Sequence, residues 1–331
     1  MTPPPLPRRV AVTGSTGLIG SAVCDYLARH GCEVIRMVRD RKQIYADRSC
    51  VYWSVEKRAI DIESLEGIDA VVHLAGRNVA KGRWNAKIKR EIRESRLRGT
   101  ALWGKMLAKM KQPPRTFISA SAVGYYGDTN GIVADESTEH GDYFLSKLAY
   151  DWEAEVAKFE VPGLRTAQLR FGVVLSRHGG ALADMMRIFR LGLGGRLGSG
   201  NQYLSWVSLI DAARAVGHVL SHELIAGPVN VTAPDAVTNH EFTSSLGRVL
   251  HRPTLFRMPA FMLRLLLGEM ADELLLINCH VMPKRLLASG FTFSYPRLEL
   301  LLRREVMLSK GVEKIHETSV NGAGNWQRGA H

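Results

Sequence analysis

The chain has 331 residues, of which 46% are hydrophobic and 23% charged, which is enough for one large domain with a packed core and a smaller appended one. The four cysteines form no CxxC pair and no cluster with histidine at zinc spacing, so we expect neither a disulfide framework nor a metal. The formal net charge is +12, and the stretch from Arg77 to Arg115 holds thirteen lysines and arginines against two glutamates.

Neither the N-terminus nor the apolar runs of the chain carry a membrane signal. Residues 1–7, MTPPPLP, lack the apolar core of a signal peptide, and the run at 261–267 is short and contains Arg264. We therefore expect a cytoplasmic protein with no membrane span. The basic stretch is compatible with a solvated helix face, an anionic ligand or an anionic membrane surface. Because no nucleic-acid-binding module accompanies it, we expect no nucleic acid partner.

The hydrophobic pattern alternates short β-branched runs with helical segments. It predicts strands at residues 8–13, 33–38, 69–74, 116–120, 165–174 and 228–232. It predicts helices at residues 18–30, 84–111 and 143–159, and a mostly helical pattern from residue 238 onward. This alternation indicates βαβ units and a parallel sheet, so the expected fold class is α/β. The two ends, residues 1–7 and 310–331, are expected to be flexible or disordered.

A glycine-rich turn, TGSTGLIG, joins the first predicted strand to the first predicted helix. Gly14 permits a tight turn, Gly17 lets the backbone approach a pyrophosphate, and Gly20 lets helix and strand pack closely. The free N–H groups and positive dipole of the helix N-terminus would bind the phosphates. This arrangement predicts a dinucleotide-binding site. The residues expected to line it are Gly14, Thr16, Gly17, Leu18, Ile19 and Gly20.

The end of the second predicted strand distinguishes the two nicotinamide dinucleotides. Proteins that bind NAD place an Asp or Glu there to bind the ribose 2′-hydroxyl. This chain has Val38, followed by Arg39. A guanidinium suits the 2′-phosphate of NADP through paired, charge-assisted hydrogen bonds, and Arg36 and Arg41 are close in sequence. Asp40 is the alternative, because a shifted register would return a carboxylate to the ribose; we expect NADP(H).

Further motifs follow the glycine turn along the chain. They are HLAG at 73–76, RW at 83–84, SR at 95–96, SASAVGYYGD at 119–128, WE at 152–153, FRLGLGGRLGSGNQYLSW at 189–206, RPTLFRMP at 252–259 and MPKRLLASGFTF at 282–293. With these motifs, residues 8–305 resemble the atypical extended short-chain dehydrogenase/reductase group. Its members are epimerase family proteins similar to nucleoside-diphosphate-sugar epimerases and typified by bacterial YfcH.

The resemblance implies a Rossmann-type doubly wound parallel sheet at residues 8–235 and a small, mostly helical C-terminal domain at residues 236–309. It also implies NADP binding, with Val38 and Arg39 at the adenine-ribose end. The other cofactor positions that it implies are Leu74, Ala75, Gly76, Ser95, Arg96, Ser119, Lys147, Phe171, Gly172 and Val173. The last three would lie near the nicotinamide, past the carboxyl end of a strand. The substrate is not implied, because a fold does not determine a function.

A Tyr-x-x-x-Lys pair follows the SASA motif. Tyr143 and Lys147 are four residues apart on a predicted helix and therefore share a face. In short-chain dehydrogenases such a tyrosine is the general acid or base toward a carbonyl or alcohol, and the lysine binds the nicotinamide ribose and lowers the tyrosine pKa. A serine at the preceding strand end hydrogen-bonds the reacting oxygen. Ser121 is the candidate for this role, and Ser119 is the alternative.

Two departures from the group leave alternatives open. Many members carry an acid at the position of Tyr143, so Tyr143 is either the working acid or a surface residue, with Tyr125 and Tyr126 as replacement phenols. Ser208 and Ile210 stand where relatives have His and an acid. The chain is then either an NADP-dependent oxidoreductase or epimerase acting on a hydroxyl or carbonyl group of an unknown small molecule, or a non-catalytic NADP(H) sensor. The sequence leaves the oligomeric state open.

Overall fold

The computed structural model describes residues 4–47 and 49–309. Its strands are β1 (Arg9–Thr13), β2 (Glu33–Val38), β3 (Cys50–Ser54), β4 (Ala59–Ile60), β5 (Ala70–His73), β6 (Thr116–Ala122), β7 (Arg165–Phe171), β8 (Val173–Leu175), β9 (Gly195–Leu197), β10 (Tyr203–Leu204), β11 (Trp206–Ser208), β12 (Gly227–Val231), β13 (Val237–Thr238) and β14 (Phe256–Met258). Its helices are α1 (Leu18–Arg29), α2 (Arg41–Ala46), α3 (Ala86–Leu107), α4 (Phe144–Ala157), α5 (Gly180–Arg190), α6 (Leu209–Ser221), α7 (Asn239–Leu250), α8 (Ala260–Leu267), α9 (Glu269–Ala271), α10 (Lys284–Ala288) and α11 (298–309). Helix α9 continues into a π-helical turn, Asp272–Leu276.

Eight strands form one sheet in the order β12-β7-β6-β5-β1-β2-β3-β4. All neighbouring pairs are parallel except β3 with β4. The strand order reverses between β1 and β5, and a ligand crevice forms at such a point outside the carboxyl ends of the strands. The predicted α/β class, a Rossmann-type doubly wound sheet with a mostly helical C-terminal region, is confirmed.

Alternate residues of β1 enter two hydrophobic clusters, one on each face of the sheet. Val10 and Val12 belong to the cluster that α1 and α6 cover, and Ala11 belongs to the cluster that α3 covers. All three side chains are fully buried. A parallel strand that is buried on both faces needs apolar residues at consecutive positions, which is why the run RVAVT is recognisable in the sequence. The two layers hold the carboxyl edge of the sheet and its loops in place.

The region after residue 165 differs from the predicted pattern. The run predicted as one strand at 165–174 is two strands, because the chain leaves the main sheet at Gly172 and β8 pairs with β11. Strands β3 and β4 and helices α5 and α6 are absent from the sequence prediction. Helix α6 begins at Ser208, whose hydroxyl accepts the Asp211 N–H at 2.9 Å. The serine that replaces the histidine of relatives is therefore a helix cap.

Strands on either side of the predicted boundary at residue 235 pair with each other. Strand β9 pairs with β14, and β10 pairs with β13. The bridge between Leu204 and Cys279 adds a further link. Leu6, in the N-terminal segment predicted to be flexible, packs against the core of the sheet. The tail at 310–331, predicted to be disordered, lies outside the described residues.

Most of the basic stretch lies on α3 and the loop before it. Its ion pairs are Arg77–Glu91, Lys89–Glu269, Arg93–Asp151 and Arg98–Glu94. Lys87, Arg90 and Lys105 are exposed and have no carboxylate partner in the described residues. This part of the stretch is a solvated helix face. No helix in the described ranges is both long enough and apolar enough to cross a bilayer.

Candidate functional site

The turn after β1 has a backbone geometry that requires glycine at two of its positions. Gly14 has a φ of +67°, and a Cβ there would lie 2.9 Å from the carbonyl carbon of Leu74. A Cβ on Gly20 would overlap the Gly14 carbonyl oxygen, so α1 packs against the turn only with glycine at this position. Gly17 is the N-cap of α1 and is exposed, so its side of the turn is open to a ligand.

The groups at this turn are suited to a pyrophosphate. The Ser15 hydroxyl is buried and has no hydrogen-bond partner in the described chain. No side chain caps α1 and no acid stands in its first turn, so its first N–H groups remain available to an anion. Thr16 is exposed at the tip of the turn, while Leu18 and Ile19 are half-buried and pack against neighbouring segments. An unpaired buried hydroxyl beside an uncapped helix N-terminus fits a bound phosphate.

Thr13 holds the end of β5 against the end of β1. Its hydroxyl accepts the N–H groups of Leu74 at 3.1 Å and Ala75 at 3.2 Å, and therefore donates its own proton to His73 Nδ1 at 2.8 Å. Burial lowers the pKa of His73 to about 3, so the imidazole is neutral with its proton on Nε2. These bonds place the backbone from Leu74 to Gly76 beside the glycine turn.

Ser95 and Arg96, on α3, hold the loop that leaves β5. Ser95 Oγ accepts the Arg77 N–H at 3.1 Å, and Arg96 Nη1 donates to the Arg77 carbonyl oxygen at 3.1 Å. The Arg96 guanidinium lies against Gly76, where a Cβ would be 3.3 Å from its Cζ. Burial lowers the pKa of Arg96 to about 10, and no carboxylate of the described residues pairs with it. A cation without a counter-ion at this edge suits an anionic ligand.

Arg39, directly after β2, is a cation without a partner in the described residues. Val38 is buried, and Arg39 is exposed without a hydrogen bond or ion pair to residues 4–47 or 49–309. Asp40 Oδ1 accepts the Lys42 N–H at 2.9 Å and caps α2, so this carboxylate is directed to a helix rather than toward a ribose. Arg41 lies over an aromatic ring of β3, 4.6 Å from its centroid. The geometry therefore favours a 2′-phosphate over a 2′-hydroxyl as the partner of Arg39.

Ser121, near the carboxyl end of β6, belongs to a buried network of charged groups. It donates to Glu153 Oε1 at 2.6 Å. Arg170 donates twice to the same carboxylate, from Nε at 2.8 Å and from Nη2 at 2.7 Å. Arg170 also donates to the Tyr126 hydroxyl at 2.9 Å, which in turn donates to Asn230 at 2.7 Å. The only proton of the Ser121 hydroxyl is therefore directed at Glu153 rather than at a substrate oxygen.

Neither Glu153 nor Arg170 is among the site residues predicted from the sequence. Burial alone would lower the pKa of Arg170, but the hydrogen bonds and charge of Glu153 raise it. A charged residue within a run predicted as a buried strand is a signal that it is paired, and the WE motif supplies the partner. Ser119, the alternative to Ser121, is buried and donates to the Ala120 carbonyl oxygen at 3.1 Å.

Tyr143 precedes α4 as its N-cap and is 38% exposed. The Lys147 N–H donates to the Tyr143 carbonyl oxygen at 3.0 Å, and Lys147 Nζ lies 3.8 Å from Asp142 Oδ1. The pKa of the Tyr143 phenol is raised, first by burial and then by the negative charges of Asp128, Asp272 and Glu273. This direction is opposite to the lowering expected from Lys147, because burial and the three carboxylates disfavour the charged phenolate.

The C-terminal region completes the first turn of α4. Glu273, in the π-helical turn, accepts the N–H of Phe144 at 3.0 Å and that of Leu145 at 2.7 Å. Burial raises the pKa of Glu273, although these two N–H groups act in the opposite direction. Met270 packs in the same place with Trp84. The start of α4, next to Tyr143, is therefore held by a C-terminal segment that no sequence motif connects with the site.

The predicted nicotinamide residues lie where the chain leaves the sheet after β7. The Gly172 N–H donates to the Val231 carbonyl oxygen at 3.0 Å, and a Cβ on Gly172 would be 2.7 Å from the Ser205 carbonyl oxygen. Phe171 is buried, and Val173 begins β8. The glycine turn, the end of β5, Ser121 and this segment follow the carboxyl ends of four parallel strands, so the sheet brings them to one edge.

Comparisons with known proteins give consistent results. The profile of the NAD dependent epimerase/dehydratase family matches residues 10–232, and that of a domain of unknown function, DUF1731, matches residues 258–305. Epimerase family protein ML0860 of Mycobacterium leprae is 40% identical over 286 residues, which cover 86% of this chain and 92% of that protein. Epimerase family protein YfhF of Bacillus subtilis is 36% identical over 305 residues, which cover 92% of this chain and 99% of that protein. The crystal structure of human epimerase family protein SDR39U1 (isoform2) with NADPH matches with a TM-score of 0.83 and 35% identity, over 90% of this chain and 98% of that chain.

Proposed function

The chain belongs to the NAD dependent epimerase/dehydratase family, and from this premise we propose that it is an NADP(H)-dependent oxidoreductase or epimerase acting on a hydroxyl or carbonyl group of a small molecule. The observation that carries the proposal is Arg39, a cation without a partner in the described residues, at the strand end beside an uncapped dinucleotide turn. Asp40, which could have indicated NAD, caps α2 instead. The NADPH in the structure of the human relative supports the same choice.

Different residues at this edge of the sheet are proposed to bind different parts of the cofactor. The free N–H groups in the first turn of α1, which follows Gly17, would hold the pyrophosphate, with the free Ser15 hydroxyl beside them. Arg39 would bind the 2′-phosphate, and the backbone from Leu74 to Gly76, fixed by Ser95 and Arg96, would line the ribose side. The remaining positions proposed to contact it are Val38, Ser119, Lys147, Phe171, Gly172 and Val173. When bound, NADPH supplies a hydride to the substrate carbon.

Tyr143 is the proposed proton donor to the substrate oxygen. Reduction of a carbonyl requires that its oxygen gain a proton as the carbon gains hydride. Burial and nearby carboxylates raise the Tyr143 pKa, so the phenol carries its proton at neutral pH and has it available for the substrate oxygen. Lys147 is close enough in the first turn of α4 to orient the ribose once it turns away from Asp142. Ser121 could bond the reacting oxygen only after its hydroxyl leaves Glu153.

The first prediction concerns the choice of cofactor. Replacing Arg39 by alanine should weaken NADPH binding by about 1.5–3 kcal/mol, the usual contribution of a charged hydrogen bond, and leave NADH binding nearly unchanged. Fluorescence titration with both dinucleotides measures the two affinities. Arg29→Ala is the matched control, since Arg29 is exposed at the far end of α1. Equal affinity of the unmodified protein for NADPH and NADH would remove Arg39 from the recognition of the cofactor.

A second candidate function is NADP(H) sensing without catalysis. The Ser121 proton directed at Glu153, and the Lys147 ammonium directed at Asp142, favour it, because neither group faces Tyr143. The test is a panel of carbonyl compounds, including quinones and keto-sugars, followed by NADPH oxidation. We expect turnover with at least one compound. Tight NADPH binding with no turnover across the panel would favour the sensor.

A further inference from the structure

Large apolar side chains are exposed on two neighbouring segments remote from the glycine turn. The end of α5 and the loop after it expose Ile188, Leu191 and Leu193, with Leu191 at 75%. Strand β14 and the residue before it expose Phe256 and, at 88%, Leu255. Helix α8 then exposes Phe261, Met262, Leu265 and Leu266, with Leu265 at 72%. We call these residues the α8 patch.

The two segments form one surface because their strands pair. Strand β14 lies parallel to β9, with Phe256 opposite Gly195, which places Leu255 and Phe256 next to the chain that follows Leu193. The Gly198 N–H donates to the Met258 carbonyl oxygen at 2.9 Å, directly before the start of α8. The segments that expose these side chains, the end of α5, β14 and α8, are therefore neighbours in the fold. Exposed apolar side chains gathered on neighbouring segments mark an interaction site.

Helix α8 differs from an ordinary surface helix. Only Leu263 of its eight residues is buried, while its other large apolar side chains are exposed or half-buried. A surface helix normally turns such residues toward the core and its charges toward water. Here the apolar face lies on the outside, and Arg264 is its only charged residue. Its sequence therefore suits an environment that is itself apolar.

The charge around the α8 patch is mainly positive. Residues 184–197 and 251–268 contain six arginines and one acid, Asp184. Arg187 pairs with Asp184 and Arg264 pairs with Asp272. Arg257 projects from β14 beside Phe256 and is exposed without an ion pair to the described residues. A second copy of this chain docked through the same patch would bring two surfaces of net positive charge together, because a two-fold interface uses the same patch on both copies. The charge therefore argues against self-association through this face.

We propose that the α8 patch docks the protein on an anionic lipid bilayer. The apolar side chains of α8 and β14 would enter the boundary between headgroups and acyl chains, and the surrounding arginines would bind lipid phosphates. An anionic bilayer offers both an apolar interior for the exposed side chains and negative charge for the arginines. This docking is separate from the proposed oxidoreductase chemistry and does not depend on it.

The test is co-sedimentation of the full chain with lipid vesicles. We expect binding to phosphatidylcholine vesicles that contain about one-third phosphatidylglycerol, and binding at least about tenfold weaker to phosphatidylcholine alone. The double variant Phe261→Ser, Leu265→Ser should lose about tenfold or more of the binding. Its melting temperature should not fall, because both side chains are exposed. Leu224→Ser is the matched control, since Leu224 is 100% exposed elsewhere, and it should bind as the unmodified chain does.

Three results would overturn the proposal. The first is no binding of the full chain to the anionic vesicles. The second is binding that survives Phe261→Ser, Leu265→Ser but is lost in Lys87→Glu, Arg90→Glu, which would assign the interaction to the basic face of α3. The third is a dimer in light scattering that the double serine variant dissociates, which would make a second copy the occupant of the patch.

Discussion

Replacing Glu153 by alanine is expected to lower the free energy of unfolding by about 3–5 kcal/mol, the usual effect of breaking a buried ion pair. Arg170 has a side-chain exposure of 3%, and its guanidinium donates two hydrogen bonds to the Glu153 carboxylate. The variant would leave a buried cation without a counter-charge and would also remove the acceptor of the Ser121 hydroxyl. Urea denaturation followed by circular dichroism measures the change.

Glu155→Ala is the control for this prediction, because Glu155 lies on the same helix and, within residues 4–47 and 49–309, pairs only with the exposed Lys158. Such a surface pair contributes less than about 1 kcal/mol. The double variant Glu153→Leu, Arg170→Met should be less destabilised than Glu153→Ala, since no unpaired charge remains. If Glu153→Ala and Glu155→Ala lower the free energy of unfolding by the same amount, the buried network does not stabilise the fold.

Replacing Tyr143 by phenylalanine is expected to reduce turnover of any active carbonyl substrate by about two to four decades, the range that general acid catalysis supplies. The change keeps the ring and removes only the proton donor, so NADPH affinity and melting temperature should stay nearly the same. Tyr150→Phe is the matched control on the same helix, because that phenol is also exposed, and its turnover should be unchanged. Steady-state NADPH oxidation and fluorescence titration give the two readouts.

The pH dependence provides a second test of Tyr143. A general acid must be protonated to act, and the pKa of this phenol is raised by burial and by neighbouring carboxylates. The limb of the rate profile that belongs to the phenol should therefore fall only above about pH 10, the ordinary pKa of tyrosine. That limb should disappear in Tyr143→Phe. Unchanged turnover in the variant would shift the role to Tyr125, Tyr126 or Ser121.

The local parts of the site could be predicted from the sequence, and the distant ones could not. The glycine turn is recognisable because a strand, Gly14, Gly17, Gly20 and a helix follow one another within a short segment. Arg39 is recognisable because its position is counted from that turn. The register of the pair Glu153–Arg170 depends instead on how α4 packs against β7, which no local pattern contains. The same holds for Glu273, which lies 129 residues after the Phe144 N–H that it accepts.

Two local signals were present in the sequence but were not used. The serine and acid at Ser208 and Asp211 form a helix start. The run CVYWS has the residue types of a strand, but it is short and lies next to an edge strand of two residues. The raised pKa of Tyr143 could not be predicted from the sequence, because it depends first on burial and then on the charges of residues distant in the chain. Of the three carboxylates that raise it further, Asp128 precedes α4 in the chain, and Asp272 and Glu273 are adjacent in the π-helical turn of the C-terminal region.

The cap that Glu273 places on α4 also has a consequence for protein synthesis. The N–H groups of Phe144 and Leu145 leave the ribosome well before the carboxylate that accepts them. At about 5–20 residues per second, translation of the intervening 129 residues takes roughly 6–26 s. During this interval the nascent chain can already form β1 to β6 and the glycine turn, while the first turn of α4 lacks its cap. A nascent chain can therefore form the dinucleotide turn before Glu273 caps the first turn of α4, next to Tyr143.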